Sequence, residues 1–275
     1  MPVILTDALG EEYSDLWATC QIKASKQAEV AMLAKAVNKN KERYRALGEG
    51  LGVPWCFVGA AHLMETGVRF DRHLHNGDPL GERTVHVPKD RPRAGSPPFA
   101  WEESATDALR IEGLDRVTDW TLPGLLFQLE RYNGFGYRTR HPEVLTPYLW
   151  SFSNHYSRGK YVSDGTFNPN AVSGQCGAAT ILRQLAETGA ISFDAVGLLS
   201  SDQDGSVESS LPLVAYSKTK KSQIAQTLQS ALNRIPGIHL RVDGIPGDLT
   251  SAAFKRLTGH YLTGDPRQGQ GLSGG

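Results

Sequence analysis

Apolar and polar positions follow a helical period over most of this chain. Between residues 24 and 47, Val30, Leu33, Ala34 and Val37 recur at i, i+3, i+4 and i+7 among Lys, Glu and Gln, the stripe of an amphipathic helix. Gly50, Gly52 and Pro54 break that run. Trp55–Thr66 (WCFVGAAHLMET) is then apolar nearly all round, which predicts a helix buried in the middle of the fold, with Gly67 placed to end it. Helical patterns resume over 101–111, 121–132 and 171–188. Thr121 before Leu122-Pro123 reads as an N-cap and Asn133-Gly134 as a stop. Residues 68–100 differ in texture. Asn76-Gly77 makes a turn, and the alternation Arg83-Thr84-Val85-His86-Val87 predicts a short strand or hairpin. A Pro/Gly-rich loop, PKDRPRAGSPPF, follows. The expected fold class is mainly α: a helical domain with a small β-hairpin region.

Toward the end the pattern changes. Residues 200–217 (SSDQDGSVESSLPLVAYS) contain the Ser/Asp/Gly-rich composition of a linker. Residues 218–263 regain helix-turn-helix patterning with enough apolar positions for a small core. The expected division is a helical domain over 1–199, a linker over 200–217, a small helical domain over 218–263 and a disordered tail over 264–275.

Composition narrows the function. The 275 residues carry 29 Lys plus Arg against 29 Asp plus Glu. A formal charge of zero argues against a broad cationic grip on nucleic acid. No apolar run approaches the roughly 18 residues of a membrane span. The first twenty residues are acidic, with no basic start and no apolar stretch of secretory length, so no signal peptide is expected and the chain is expected to be made in the cytoplasm. Cys20, Cys56 and Cys176 are too few and too scattered for a disulfide scaffold, and none forms a CxxC, which makes a cysteine zinc site an unfavoured reading.

The most informative polar residue is Glu65, in the last turn of the apolar helix. Burial disfavours the charged carboxylate and raises its pKa, as a general acid working near neutrality requires. The plainer alternative is that Glu65 caps the helix or pairs with Arg69 or Arg72. Asp78 follows after twelve residues and Thr84 five beyond it. An acid, a second carboxylate and a water-holding hydroxyl are the parts of a glycosidase site; in inverting enzymes the two carboxyl groups stand about 6.5–9.5 Å apart. Glu82 is the rival second carboxylate, and Asp71 a weaker one. His73-x-His75, near His62-x-x-Glu65, supports a different reading, a zinc-dependent peptidoglycan amidase or peptidase. A non-catalytic wall-binding protein is a third. Nucleophilic and nucleotide chemistry find no GxSxG, P-loop or GxGxxG to stand on.

The order Glu65, Asp78, Thr84 resembles the catalytic Glu-Asp-Thr set of phage-type lysozymes, with a longer first interval. METG, HLHNGDPL, RTVHVP, PPFAWEESATDAL, LERYNGFGYR and PYLWSFSNHY are similar to segments of bacterial and phage lysozyme-like proteins, over roughly residues 10–190. Tyr132-Asn133-Gly134 resembles, loosely, the YNxG element of goose-type lysozymes and lytic transglycosylases. The resemblance implies a helical fold that cleaves the glycan strand of peptidoglycan, with Glu65, Asp78 and Thr84 catalytic and Tyr132, Asn133, Tyr137, Tyr148 and Trp150 along the sugar cleft. It implies no cofactor and no metal, and leaves hydrolase and transglycosylase outcomes open. Leu228-Gln229, Leu232-Asn233, Val242-Asp243-Gly244, Gly247 and Thr250 resemble the peptidoglycan-binding type 1 module, a three-helix domain, with Asp248 and Thr250 as candidate caps. Without a signal peptide, delivery to a wall falls to another agent, such as a phage holin or a secretion apparatus.

Overall fold

The computed structural model describes residues 2–163, 165–193, 199–200, 214–233, 235 and 238–269. The fold is mainly α, with only small strand pairs beside the helices. The chain divides into two compact units, Met1–Asp202 and Gln203–Gly275. Residues 201–213 of the expected linker lie outside the described residues. No helix among the described residues is long and apolar enough to cross a membrane.

In the larger unit the helices are α1 (Asp7–Ala18), α2 (Gln27–Lys39), α3 (Lys41–Glu49), α4 (Trp55–Thr66), α5 (Trp101–Ile111), α6 (Leu122–Asn133), α7 (Gly136–Arg140) and α8 (Pro147–Trp150). An antiparallel hairpin, β1 (Lys160–Ser163) and β2 (Thr166–Asn168), precedes α9 (Ala178–Glu187). A two-residue pair, β3 (Ser192–Phe193) with β4 (Leu199–Ser200), follows. The amphipathic stretch at 24–47 is two helices, because the chain breaks at Asn40.

α4 is the axis of the core. Every residue from Trp55 to Met64 is buried, and the helix packs on α2, α3, α6 and α9. Burying a large apolar side chain contributes about 1.5–3 kcal/mol, so α4 is a principal source of the unit's stability. Close approach is built in at Gly59, where an added Cβ would stand 2.6 Å from Val37 Cγ1. Gly67 ends α4 in the left-handed region at φ 66°, its N–H donating to Leu63 O at 3.0 Å; Gly tolerates that conformation without strain. Thr121 caps α6, its hydroxyl accepting from Gly124 N–H, and Gly134 follows α6 at φ 88°. Cys20, Cys56 and Cys176 are free and buried.

The expected strand at 83–87 does not form. Residues 83–98 are loop, and the hairpin of this unit is 160–168. Likewise α9 begins at Ala178, not near 171, because Gly177 lies against the backbone of Leu149, where any Cβ would meet Leu149 O at 2.2 Å.

Among its described residues the smaller unit contains α10 (Gln223–Asn233) and α11 (Asp248–Thr258), then a 3-10 turn at Pro266–Gly269. Gln229 is its keystone. The buried amide donates to Asp243 Oδ1, Ile245 O and Thr250 Oγ1 at 3.0–3.1 Å and accepts from Gly244 N–H at 2.8 Å. Asn233 clasps Leu240 through both its backbone groups. The Gln and Asn of the motif therefore tie α10 to the 240–245 turn. Neither Asp248 nor Thr250 caps α11: Gly247 holds the cap position, and Thr250 serves Gln229. Residues 264–269, expected in the tail, belong to the body of this unit. Asp265 is buried and paired with Arg267 at 2.6 Å.

Candidate active site

Glu65 is the last acid on α4, and α8 fixes it. Thr146 caps α8, accepting from Tyr148 N–H at 3.3 Å, and the short helix presents Tyr148 Oη as a donor to Glu65 Oε1 at 3.1 Å. Burial pushes the Glu65 carboxyl up to about 7; the Tyr148 bond opposes that rise and the charge of Glu112 adds to it. Neither alternative partner claims it. Arg69 pairs with Asp71 at 2.8 Å, and Arg72 donates to Gly77 O at 3.2 Å. Tyr148 is itself buried, which lifts its phenol well above the ordinary value and keeps it a donor.

Beside Glu65 opens a cavity of about 420 Å³. Met64 of α4, Asn133 and Gly134 at the end of α6, Gly136 and Tyr137 of α7, and Pro147 and Tyr148 of α8 form part of its lining. Lys160 and Tyr161 of β1, with Ser173 and Gln175 of the following loop, complete it. The walls are joined by specific bonds. Gln175 Nε2 donates to Met64 O at 2.6 Å, and Tyr137 Oη accepts from Tyr161 N–H at 3.1 Å. Tyr137, Tyr161, Phe167 and His141 pack ring against ring, so the hairpin is an aromatic wall fastened to α7. Aromatic faces and amides are groups that hold sugar rings and N-acetyl substituents.

The other expected catalytic residues are occupied elsewhere. Asp78 is buried and accepts from Val85 N–H at 2.8 Å, His86 N–H at 3.0 Å and His86 Nδ1 at 2.6 Å. Burial would raise its pKa, but the bonds from His86 and Val85 outweigh that and hold it down at about 2. Thr84 is buried; its hydroxyl donates to Pro88 O and accepts from Arg91 N–H at 2.9 Å. Both side chains therefore anchor the 84–91 loop. Glu82 is exposed, and its carbonyl accepts from His73. None of Asp78, Glu82 and Thr84 lines the cavity, and Glu65 adjoins it through its neighbour Met64 and its bond partner Tyr148 rather than as a lining residue.

No protein-family model, curated protein or solved structure matches the chain. The site is thus read from its chemistry. Of the expected sugar-binding residues, Asn133, Tyr137 and Tyr148 share the cavity. Tyr132 stands behind it, its ring against Phe57 and its Oη donating to Leu74 O at 3.1 Å. Trp150, 1% exposed, is core. The imidazoles of the zinc reading are engaged. His73 Nδ1 lies 2.7 Å from Ser104 Oγ and its Nε2 2.8 Å from Glu82 O. His75 Nε2 is 2.8 Å from Asp107, which also takes Arg91. His62 bonds Tyr44 Oη and Arg69 O. Among the described residues no three potential ligands gather.

Lys160, Tyr161, Ser173 and Gln175 were not foreseen. A signal existed for the first two: KYVSDGTFN places Asp-Gly between β-favouring residues, a hairpin pattern. Ser173 and Gln175 sit in a loop with no such mark.

Proposed function

We propose that the chain cleaves the glycan strand of peptidoglycan, a muramidase-type glycosidase with Glu65 as proton donor. One observation carries the reading: a buried carboxyl group, protonated to near neutrality, beside a cavity lined by Tyr137, Tyr148 and Tyr161. A general acid functions best when its pKa lies near the working pH. Tyr148 occupies Oε1, and Oε2 has no partner among the described residues, so one carboxyl oxygen is available to protonate a glycosidic oxygen. As the leaving chain departs, positive charge develops at the sugar's anomeric carbon. The resulting Glu65 carboxylate is the base at hand for the incoming hydroxyl, whether of water or of the sugar's own C6. The small unit, through its resemblance to wall-binding modules, would hold the enzyme at an insoluble substrate and raise its local concentration.

The test is mass spectrometry of fragments released from purified cell wall by the wild type and by Glu65→Gln. Glycan fragments with a reducing end report water as acceptor, and 1,6-anhydro ends report the C6 hydroxyl. Either should fall at least a hundredfold in the variant. Release of free stem peptides, or undiminished activity in Glu65→Gln, refutes the proposal.

A further inference from the structure

The cavity beside Glu65 holds one charged lining side chain among the described residues, Lys160. It sits on β1, opposite Asn168 across the hairpin, half-buried, and its ammonium has no hydrogen-bond or ion-pair partner among those residues. Arg138 of α7, by contrast, is committed to Glu12 and Glu130. A lysine kept at an aromatic wall without a counter-ion is suited to an anionic group brought in by the ligand.

The backbone of the proposed substrate alternates two sugars and hence two kinds of glycosidic linkage. The sugars differ in one substituent, an ether-linked lactyl group that bears either a free carboxylate or a peptide with carboxylates of its own. An enzyme that cuts one linkage and spares the other must read that difference. We infer that Lys160 is the specificity-determining residue of the site, binding a carboxylate carried by the lactyl substituent and so setting which linkage lies at Glu65. This rests on the glycosidase reading of the preceding section. The aromatic wall and the amides of Asn133 and Gln175 contact features common to both sugars and set no register.

The experiment compares full-length wild type, Lys160→Met and Lys160→Arg on three soluble substrates. These are peptide-bearing glycan, glycan stripped of peptide so that lactyl carboxylates are free, and neutral N-acetylglucosamine oligomers. In Lys160→Met, KM should rise about tenfold on carboxylate-bearing glycan, the value of one charge-assisted hydrogen bond. The kcat and the KM for the neutral oligomer should stay within twofold, and Lys160→Arg should keep most of the wild-type KM. Whether the loss is larger on peptide-bearing or on stripped glycan identifies the carboxylate. Equal change on all three substrates, or no change on any, overturns the inference. The same ligands titrated by calorimetry into full-length Glu65→Gln, with and without Lys160→Met, read the interaction without turnover. A failure of the glycosidase reading, seen as undiminished cleavage by Glu65→Gln alone, is thereby told apart from a failure of Lys160.

Discussion

Burial, with the charge of Glu112, favours the neutral acid of Glu65, and the phenol of Tyr148 favours the carboxylate. With Glu65 as the proposed proton donor, the protonated form does the work, so kcat/KM on soluble glycan should fall as pH rises through about 7. Tyr148→Phe removes the bond that favours the charged form, so the basic limb should move to higher pH, by roughly one pH unit. A limb that stays in place, or moves down, would mean that Tyr148 does not govern the acid. At this scale the sequence was legible where burial decides. A lone carboxylate in an apolar helix must be perturbed, and Glu65 is. Direction is another matter. Asp78 and Thr84 stand at an interval compatible with catalysis, yet residue type and spacing carry no sign of which way a side chain turns. The backbone N–H groups of Val85 and His86 claim Asp78, and the carbonyl of Pro88 claims Thr84.

The elements most clearly written in the chain are those with a long period. α4, α5 and α6 fall where the apolar pattern and its caps predict, since ten or more residues share one signal. Short elements obey their neighbours. The alternation at 83–87 has the texture of a strand, but among the described residues no second strand lies beside it, and an unpaired strand has no ladder to make. The side chain of Asp78 supplies the missing acceptors. The loop it organises is therefore an element in its own right, closed by Thr84 and tied to α5 through Arg91 and Asp107. Asp78→Asn should lower the thermal midpoint at neutral pH, a cost of about 1–3 kcal/mol, while leaving turnover within a few-fold. The anchor depends on a carboxylate whose pKa is lowered in the folded chain. Its contribution is full above the ordinary Asp value and is lost as pH falls through about 2, so wild type and variant should converge in acid. A hundredfold loss of turnover at unchanged stability would return Asp78 to the chemistry.

At the scale of the whole molecule, the chain forms two compact units, and on the proposed function catalysis belongs to one and attachment to the other. Gln229 is the point where the second can be loosened without touching the first. Gln229→Leu leaves the N–H of Gly244 and the carbonyl of Ile245 without their partner, a loss of roughly 1–3 kcal/mol for each buried group left unpaired. Sedimentation of the protein with purified walls should fall sharply, and cleavage of soluble glycan should not change. Loss of both together would show that the smaller unit does more than attach. A formal charge of zero makes this division of labour consequential, since bulk charge offers no grip on an anionic surface. The three thiols carry one more consequence. Burial pushes Cys20 up to about 11 and both Cys56 and Cys176 up to about 12, so at neutral pH none supplies appreciable thiolate, the form that oxidants and disulfides attack. In the native fold these three thiols therefore offer little of the nucleophile from which unwanted disulfides form.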